Sequence, residues 1–295
     1  MLEKFNFNLS VKINKKKFII PIIRNIGYGN LILVDGLWKI DLFDKLLKLK
    51  SGNFIDVGVN VGQTLLELKS VNESVNYIGF EPNPNCVFYC NILINKNDLN
   101  NATIIPAGIF SESTLLSFYA TGEVDGGGSV IENLRRGREF FKKNFVPVFK
   151  LDNLDNISEN LEFDSVSILK IDVEGAEYHV LNGAKDFIKS KLPFILCEIL
   201  WANDQEKLQM SKKRNDEIIN FVKEADYIIY NIVKSEDNNS IKYIKRIIEL
   251  DNRIYTVVNR ELCDYLLIHS SDQNLISDHF QINLDYDNEI KAILN

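Results

Sequence analysis

The sequence predicts an α/β fold: a mostly parallel sheet with helices on both faces and an antiparallel edge. Three observations predict it. From Asn53 onward, short apolar runs alternate with helical patterns. The runs NFIDVG, SILKIDV and PFILCEIL are continuously apolar, as in strands buried on both sides. The chain then closes in strand-like runs (DYIIYNIV, IKYIKRIIEL, RIYTVV, CDYLLIH) with little helix between them, which points to antiparallel pairing at one edge.

Residues 5–33 read as a β-hairpin or two: FNFNLSVKI alternates roughly, NKKK turns and FIIPII continues. Lys15, Lys16 and Lys17 fit a solvated turn. Asp35-Gly36 is expected to cap a helix near 37–49, where Leu42, Phe43, Leu46 and Leu47 share one face, and Ser51-Gly52 ends it. Residues 1–50 are therefore read as a cap on the main sheet, 51–270 as the main domain and 271–295 as a C-terminal tail.

Within the main domain NFIDVG is a strand and VGQTLLELKS a helix. VNYIGFEP is the next strand, and Pro84 starts a helix running to about Asn97. ATIIPAGI, LLSFYA and VPVFKL read as strands, and SILKIDV as a buried one. GAEYHVLNGAKDFIKS is expected as one amphipathic helix with Ala176, Val180, Leu181, Ala184, Phe187 and Ile188 on its apolar side. Residues 213–224 are predicted helical. The stretch 120–145 lacks periodicity and holds Gly126, Gly127 and Gly128 followed by Arg135, Arg136 and Arg138.

Composition narrows the function classes. A hydrophobic content of 45% in 295 residues is ample for a core. The net charge of −7 makes nucleic acid a poor default partner. No apolar run reaches the roughly 18 residues of a membrane span. Charges begin at Glu3 and Lys4 with no long apolar signal core, and the chain is read as cytoplasmic. Cys86, Cys90, Cys197 and Cys263 form no C-x-x-C pair, so no zinc site is expected.

The stretch FIDVGVNVGQT carries the strongest chemical signal. An apolar run ends in Asp56, the small-residue turn Gly58-Val-Asn60-Val-Gly62 follows, and a helix begins. Glycine lets backbone approach a ligand, and the free N–H groups of a helix start face an anion. Glu81 ends the next strand, where a carboxylate can accept both ribose hydroxyls of a nucleoside. The spacing is G-x-N-x-G, without the third glycine of a dinucleotide turn, and Asn60 tolerates left-handed backbone. That favours S-adenosylmethionine over NAD.

The segments DVGVNVGQT, GFEPNP and LKIDVEGAEYHVLNGA, in that order across about 53–200, resemble the FkbM family of S-adenosylmethionine-dependent methyltransferases. Val59 stands where the family commonly has alanine, and residues 1–50 and 200–295 match only loosely. The resemblance implies a Rossmann-like class I methyltransferase fold with a seven-stranded sheet. It also implies that Gly58, Asn60 and Gly62 line the methionine end, that Glu81 holds the ribose, and that adenine lies near Ala107-Gly108. Asp56 would anchor the turn and, directly or through water, the cofactor's ammonium. The implied reaction is O-methylation of a sugar or polyhydroxylated natural product, in a small molecule or glycan.

The reacting centre belongs at the carboxyl edge of the sheet. Asp172, Glu174 and Glu177 stand there, where the fourth strand of the main domain's parallel series meets its helix, and Asp172 is the first candidate. Clustered carboxylates raise one another's pKa, which suits a base; they could equally hold a divalent ion, although no metal is predicted. Glu174 and Glu177 also fit plain helix-start roles, and His179 fits a solvated position. Glu198 faces the same edge as a candidate substrate contact, and Arg135 and Arg136 could meet an anionic substrate. The alternatives are a non-catalytic binding or scaffold module and a nucleic-acid N-methyltransferase. The latter usually carries N-P-P-Y or D-P-P-Y where this chain has Asp172-Val-Glu-Gly.

Overall fold

The computed structural model describes residues 6–24, 26–31, 36–120, 122, 128–132, 142–156, 161, 163–202, 204–254 and 262–283. It opens with the predicted hairpin, β1 (Phe7–Ile13) antiparallel to β2 (Lys16–Ile22), then a short α1 (Tyr28–Leu31) and α2 (Trp38–Leu49). Asp35, the expected cap of α2, lies outside the described residues; Leu37 holds that position without a side-chain bond. The main series follows: β3 (Asn53–Val57), α3 (Gln63–Val71), β4 (Tyr77–Phe80), α4 (Pro84–Lys96) and β5 (Ala102–Ile105).

Next come β6 (Gly108–Ile109), β7 (Thr114–Ala120) and β8 (Lys142–Phe149), then β9 (Val166–Ile171), α5 (Glu177–Gly183), α6 (Lys185–Lys191) and β10 (Phe194–Glu198). The chain continues through α7 (Leu208–Glu224), β11 (Tyr227–Lys234), β12 (Ile241–Ile247), β13 (Asp264–His269), α8 (Gln273–Ser277) and β14 (Ile282–Asn283).

The main sheet has the order β14-β12-β11-β13-β10-β9-β3-β4-β5. Strands β5, β4, β3, β9 and β10 are parallel, and β13, β11 and β12 add antiparallel. Strand order reverses between β3 and β9, the crevice where open α/β sheets bind ligands.

Period-2 alternation splits each central strand between two cores. Phe54, Ile168, Phe194, Leu196 and Leu266 face one side, with the hairpin's Phe18 and Ile20, with Leu42 and Phe43 of α2, and with α3 and α4. Ile55, Leu169, Ile195, Cys197 and Leu267 face the other, against Val180 and Leu181 of α5, Ile188 of α6 and Ile218 of α7. Each large apolar side chain removed from water contributes about 1.5–3 kcal/mol, and Phe54 and Ile55 are both fully buried.

Three expectations are corrected. Among the described residues the sheet has nine strands where seven were expected: β12 folds back on β11 through a turn whose Asp237 accepts from Ser235 and Asn239, and β14, inside the expected tail, pairs with β12. ATIIPAGI is two strands. Pro106 has no N–H for the ladder, and after it the chain leaves the main sheet to form a second sheet, β6-β8-β7. The helix expected through residue 190 breaks at Ala184. A Cβ on Gly183 would lie 1.9 Å from the Phe110 carbonyl oxygen, and Asp152 accepts from Phe187 N–H in the first turn of α6. Most of RIYTVV falls outside the described residues.

Candidate functional site

The turn after β3 is shaped by backbone that few residues adopt. Gly58 has φ +93°, and a Cβ there would sit 1.9 Å from the Asp172 carbonyl oxygen, so only glycine lets the β3 and β9 ends meet. Asn60 follows at φ +52°. Its N–H donates to Glu81 Oε2 at 2.7 Å, and Asn83 N–H donates to Oε1 at 2.8 Å. These two amides fix the carboxylate at the end of β4.

A cleft opens over this edge. Its polar wall carries Gly58, Asn60, Glu81, Asp172 and Glu174, and its apolar wall carries Phe80, Pro82, Ile109, Phe118 and Val148. A carboxylate held at one end of an apolar slot suits a nucleoside: a flat base against hydrocarbon and a ribose diol donating to Glu81. Burial raises Glu81 to a pKa of about 7, against the two amides that favour its charge.

Below the turn lies a charged chain that β-strand parity assembles. Asp56 and Lys170 are direct cross-strand partners on β3 and β9 and point to the same side. Lys170 Nζ lies 3.0 Å from Asp56 and 3.4 Å from Asp172, and Tyr77 Oη donates to Asp56 at 2.6 Å. Burial raises the Asp56 pKa, with Lys170 and Tyr77 opposing it. Lys170 is itself raised, because its two carboxylates outweigh the burial that would lower it.

Asp172 stands on the cleft wall beside Lys170. Burial would raise its pKa, but Lys170, Lys39 and a hydrogen bond from Glu198 outweigh that and hold it below the usual value. Glu198 goes the other way: burial, then the charges of Asp172, Asp264 and Glu174, push it well up. The two carboxyls titrate as a pair, in which Lys170 favours the charge on Asp172 and burial favours the proton on Glu198. Within the cluster Asp172, Glu174 and Glu177, burial and, in smaller part, the charge of Asp172 do raise Glu177, but Asp172 itself departs from the mutual raising expected, because Lys170 lies 3.4 Å away.

Glu174 also lines the cleft, at φ +52°, a conformation that costs a non-glycine residue about 1–3 kcal/mol. The turn is clamped on both sides. Ser129 Oγ donates to the Glu174 carbonyl at 2.7 Å, and Gly175 N–H donates to Glu177 Oε1 at 2.7 Å.

The sequence-derived set thus divides. Gly58, Asn60, Glu81, Asp172 and Glu174 line one cleft. Glu198 reaches it through Asp172. Glu177 is a correction: it is fully buried, bound to Gly175 N–H and 3.5 Å from Arg214 on α7, and supports the turn from behind. Asp56, Gly62 and Ala107 also stand behind the lining. Asp56 is spent on Lys170 and Tyr77, Gly62 begins α3 against Leu93, and Ala107 is buried beside the lining Gly108. Arg135, Arg136 and Arg138 lie outside the described residues. His179 is half-buried, stacked on Phe110 at 4.2 Å and bonded to Ser111. Among the described residues, no three His, Cys, Asp or Glu side chains converge as metal ligands.

Sequence reasoning passed over Lys170 and Ser129. A lysine inside the buried run SILKIDV was the available signal for the first, since a buried ammonium needs partners. Ser129 had none.

The sequence model of the methyltransferase FkbM domain matches residues 56–229. The methyltransferase sdnD of Sordaria araneosa is 26% identical over 165 residues, covering 48% of this chain and 64% of that protein. The hexuronic acid methyltransferase AglP of Haloferax volcanii is 27% identical over 186 residues, covering 59% of this chain and 68% of that protein. The crystal structure of a methyltransferase FkbM from Methylobacillus flagellatus KT superposes with a TM-score of 0.44 at 14% identity, over 74% of this chain and 44% of that one. The chain therefore spans about two thirds of the curated relatives it matches, and the assignment rests on the sequence model. The three segments from the β3 turn, the end of β4 and the β9–α5 junction fall within that match, and the chain belongs to the FkbM family of S-adenosylmethionine-dependent methyltransferases.

Proposed function

We propose that this chain methylates a hydroxyl group of a sugar or similar polyhydroxylated acceptor. The observation that carries the reading is Asp172 on the cleft wall, with Lys170 3.4 Å away favouring its charge and Glu198 hydrogen-bonded to it. Glu81 would take the ribose hydroxyls and the apolar wall the adenine. Bound S-adenosylmethionine supplies an electrophilic methyl group. Asp172 accepts the acceptor hydroxyl's hydrogen bond and turns an oxygen lone pair toward the cleft. Held low by Lys170, it is a weak base, so it orients the hydroxyl first and takes the proton as that oxygen becomes acidic. Glu198, donating to Asp172, fixes its rotamer. A relative named for hexuronic acid methylation supports a sugar acceptor.

The test pairs calorimetry with turnover. S-adenosylmethionine and its demethylated product are titrated, with NAD as control, and product release is followed over a panel of methyl glycosides. Asp172→Asn should abolish turnover and leave cofactor binding within about twofold, a change of about 0.4 kcal/mol. Undiminished turnover in that variant would remove Asp172 from the reaction. Tighter binding of NAD would remove the cofactor assignment.

A further inference from the structure

A second cavity lies on the other side of the Glu174–Gly175–Ala176 turn. The two spaces share that turn as a wall: Glu174 and Ala176 line the cofactor cleft and Gly175 lines the second cavity. Ser129 and Val130 likewise face the first, and Ile131 the second.

The second cavity has its own chemistry. Lys207, Lys213 and Arg214 line it, beside the rings of Tyr178 and Trp201. The acids that face these cations are Glu217, 3.9 Å from Lys213, and the buried Glu177, 3.5 Å from Arg214. Lys207 forms no ion pair among the described residues. Arg214 is held in place through the Leu200 carbonyl and Ser211 Oγ, while its Nε is buried without a hydrogen-bond partner among the described residues. On a chain of net charge −7, three cations in one ring-lined hollow are a local reversal of sign.

We propose that this cavity is an acceptor subsite for an anionic sugar residue, one bearing a carboxylate or a phosphate. The proposal rests on the sugar O-methyltransferase reading, since it places the charged part of the acceptor beside the turn that separates it from the cofactor cleft. Lys207 and Lys213 pair with the anion, Arg214 presents a fixed guanidinium edge, and Tyr178 offers an aromatic face to the sugar ring.

Saturation-transfer NMR on the full chain, with S-adenosylhomocysteine present, tests this with D-glucuronate, D-glucose 6-phosphate and D-glucose. At least one anionic sugar should bind about tenfold or more tightly than glucose. The Lys207→Gln/Lys213→Gln double variant should lose that margin, as expected for removed charge-assisted hydrogen bonds. Binding of glucuronate alone identifies a carboxylate site, and of glucose 6-phosphate alone a phosphate site. Equal binding of glucose, or anionic binding undiminished in the variant, overturns the proposal. S-adenosylhomocysteine affinity, measured in parallel, separates the two readings: its absence sinks the methyltransferase reading, while its retention with no sugar preference sinks only the subsite.

Discussion

Cofactor affinity should depend on pH through Glu81. This carboxyl is 5% exposed, and burial raises its pKa to about 7. To accept from two ribose hydroxyls it must be ionised, because a protonated carboxyl spends one oxygen as a donor. Binding then favours the ionised form, lowers this raised pKa and releases a proton, so affinity rises with pH until about 7 and flattens above. With a pKa of about 7, roughly 3% of the free protein is binding-competent at pH ~5.5 and roughly 90% at pH ~8. The dissociation constant should fall about 30-fold across that range, a change of about 2 kcal/mol. Calorimetric titration of S-adenosylhomocysteine at several pH values measures it, and repetition in buffers of different ionisation heat counts the released proton. Glu81→Gln should bind more weakly, since its amide NH₂ would oppose the N–H of Asn60 or Asn83, and its profile should be flat. A flat wild-type profile, or affinity that falls as pH rises, would refute the assignment of Glu81 to the ribose.

Three further outcomes are expected. Lys170→Met strands the fully buried Asp56 charge and should cost about 3–5 kcal/mol of stability at neutral pH by urea denaturation; a loss under about 1 kcal/mol would show that Tyr77 alone satisfies it. Gly58→Ala drives a methyl group into the Asp172 carbonyl, so a variant that keeps its helical circular dichroism should still lose methyl transfer, and full activity would mean that the β3 and β9 ends can separate freely. Glu198→Ala removes the hydrogen bond that lowers the Asp172 pKa, so the acid limb of kcat at saturating S-adenosylmethionine, where Glu81 is already ionised, should move to higher pH, while Glu198→Gln keeps a donor and should restore it. An unmoved limb in the alanine variant, or an equal shift in both, would count against the coupling.

The local sequence by itself determined the β3 turn, the Glu81 position and the central strands. Each of these is written in a short window: a glycine where φ is positive, an acid at a strand end, an apolar run long enough to be buried on both faces. The family resemblance was legible in the same windows. Strand parity even places Asp56 and Lys170 on one face, although their pairing needs the β3–β9 register.

Tertiary structure decided the rest. Glu177 sits three residues from Glu174 and looked equally available, yet Arg214, 37 residues away on α7, draws its carboxylate inward. The helix through residues 177–191 breaks because Gly183 meets the Phe110 carbonyl, a contact that helical periodicity cannot register. Asp172, just past the end of β9, and Glu198, at the end of the adjacent parallel β10, are 26 residues apart, and the opposite directions of their pKa shifts depend on Lys170 lying within 3.4 Å of Asp172. Side-chain propensity and local pattern act over a few residues, whereas the charge state of a buried carboxyl is set by whatever the fold packs against it.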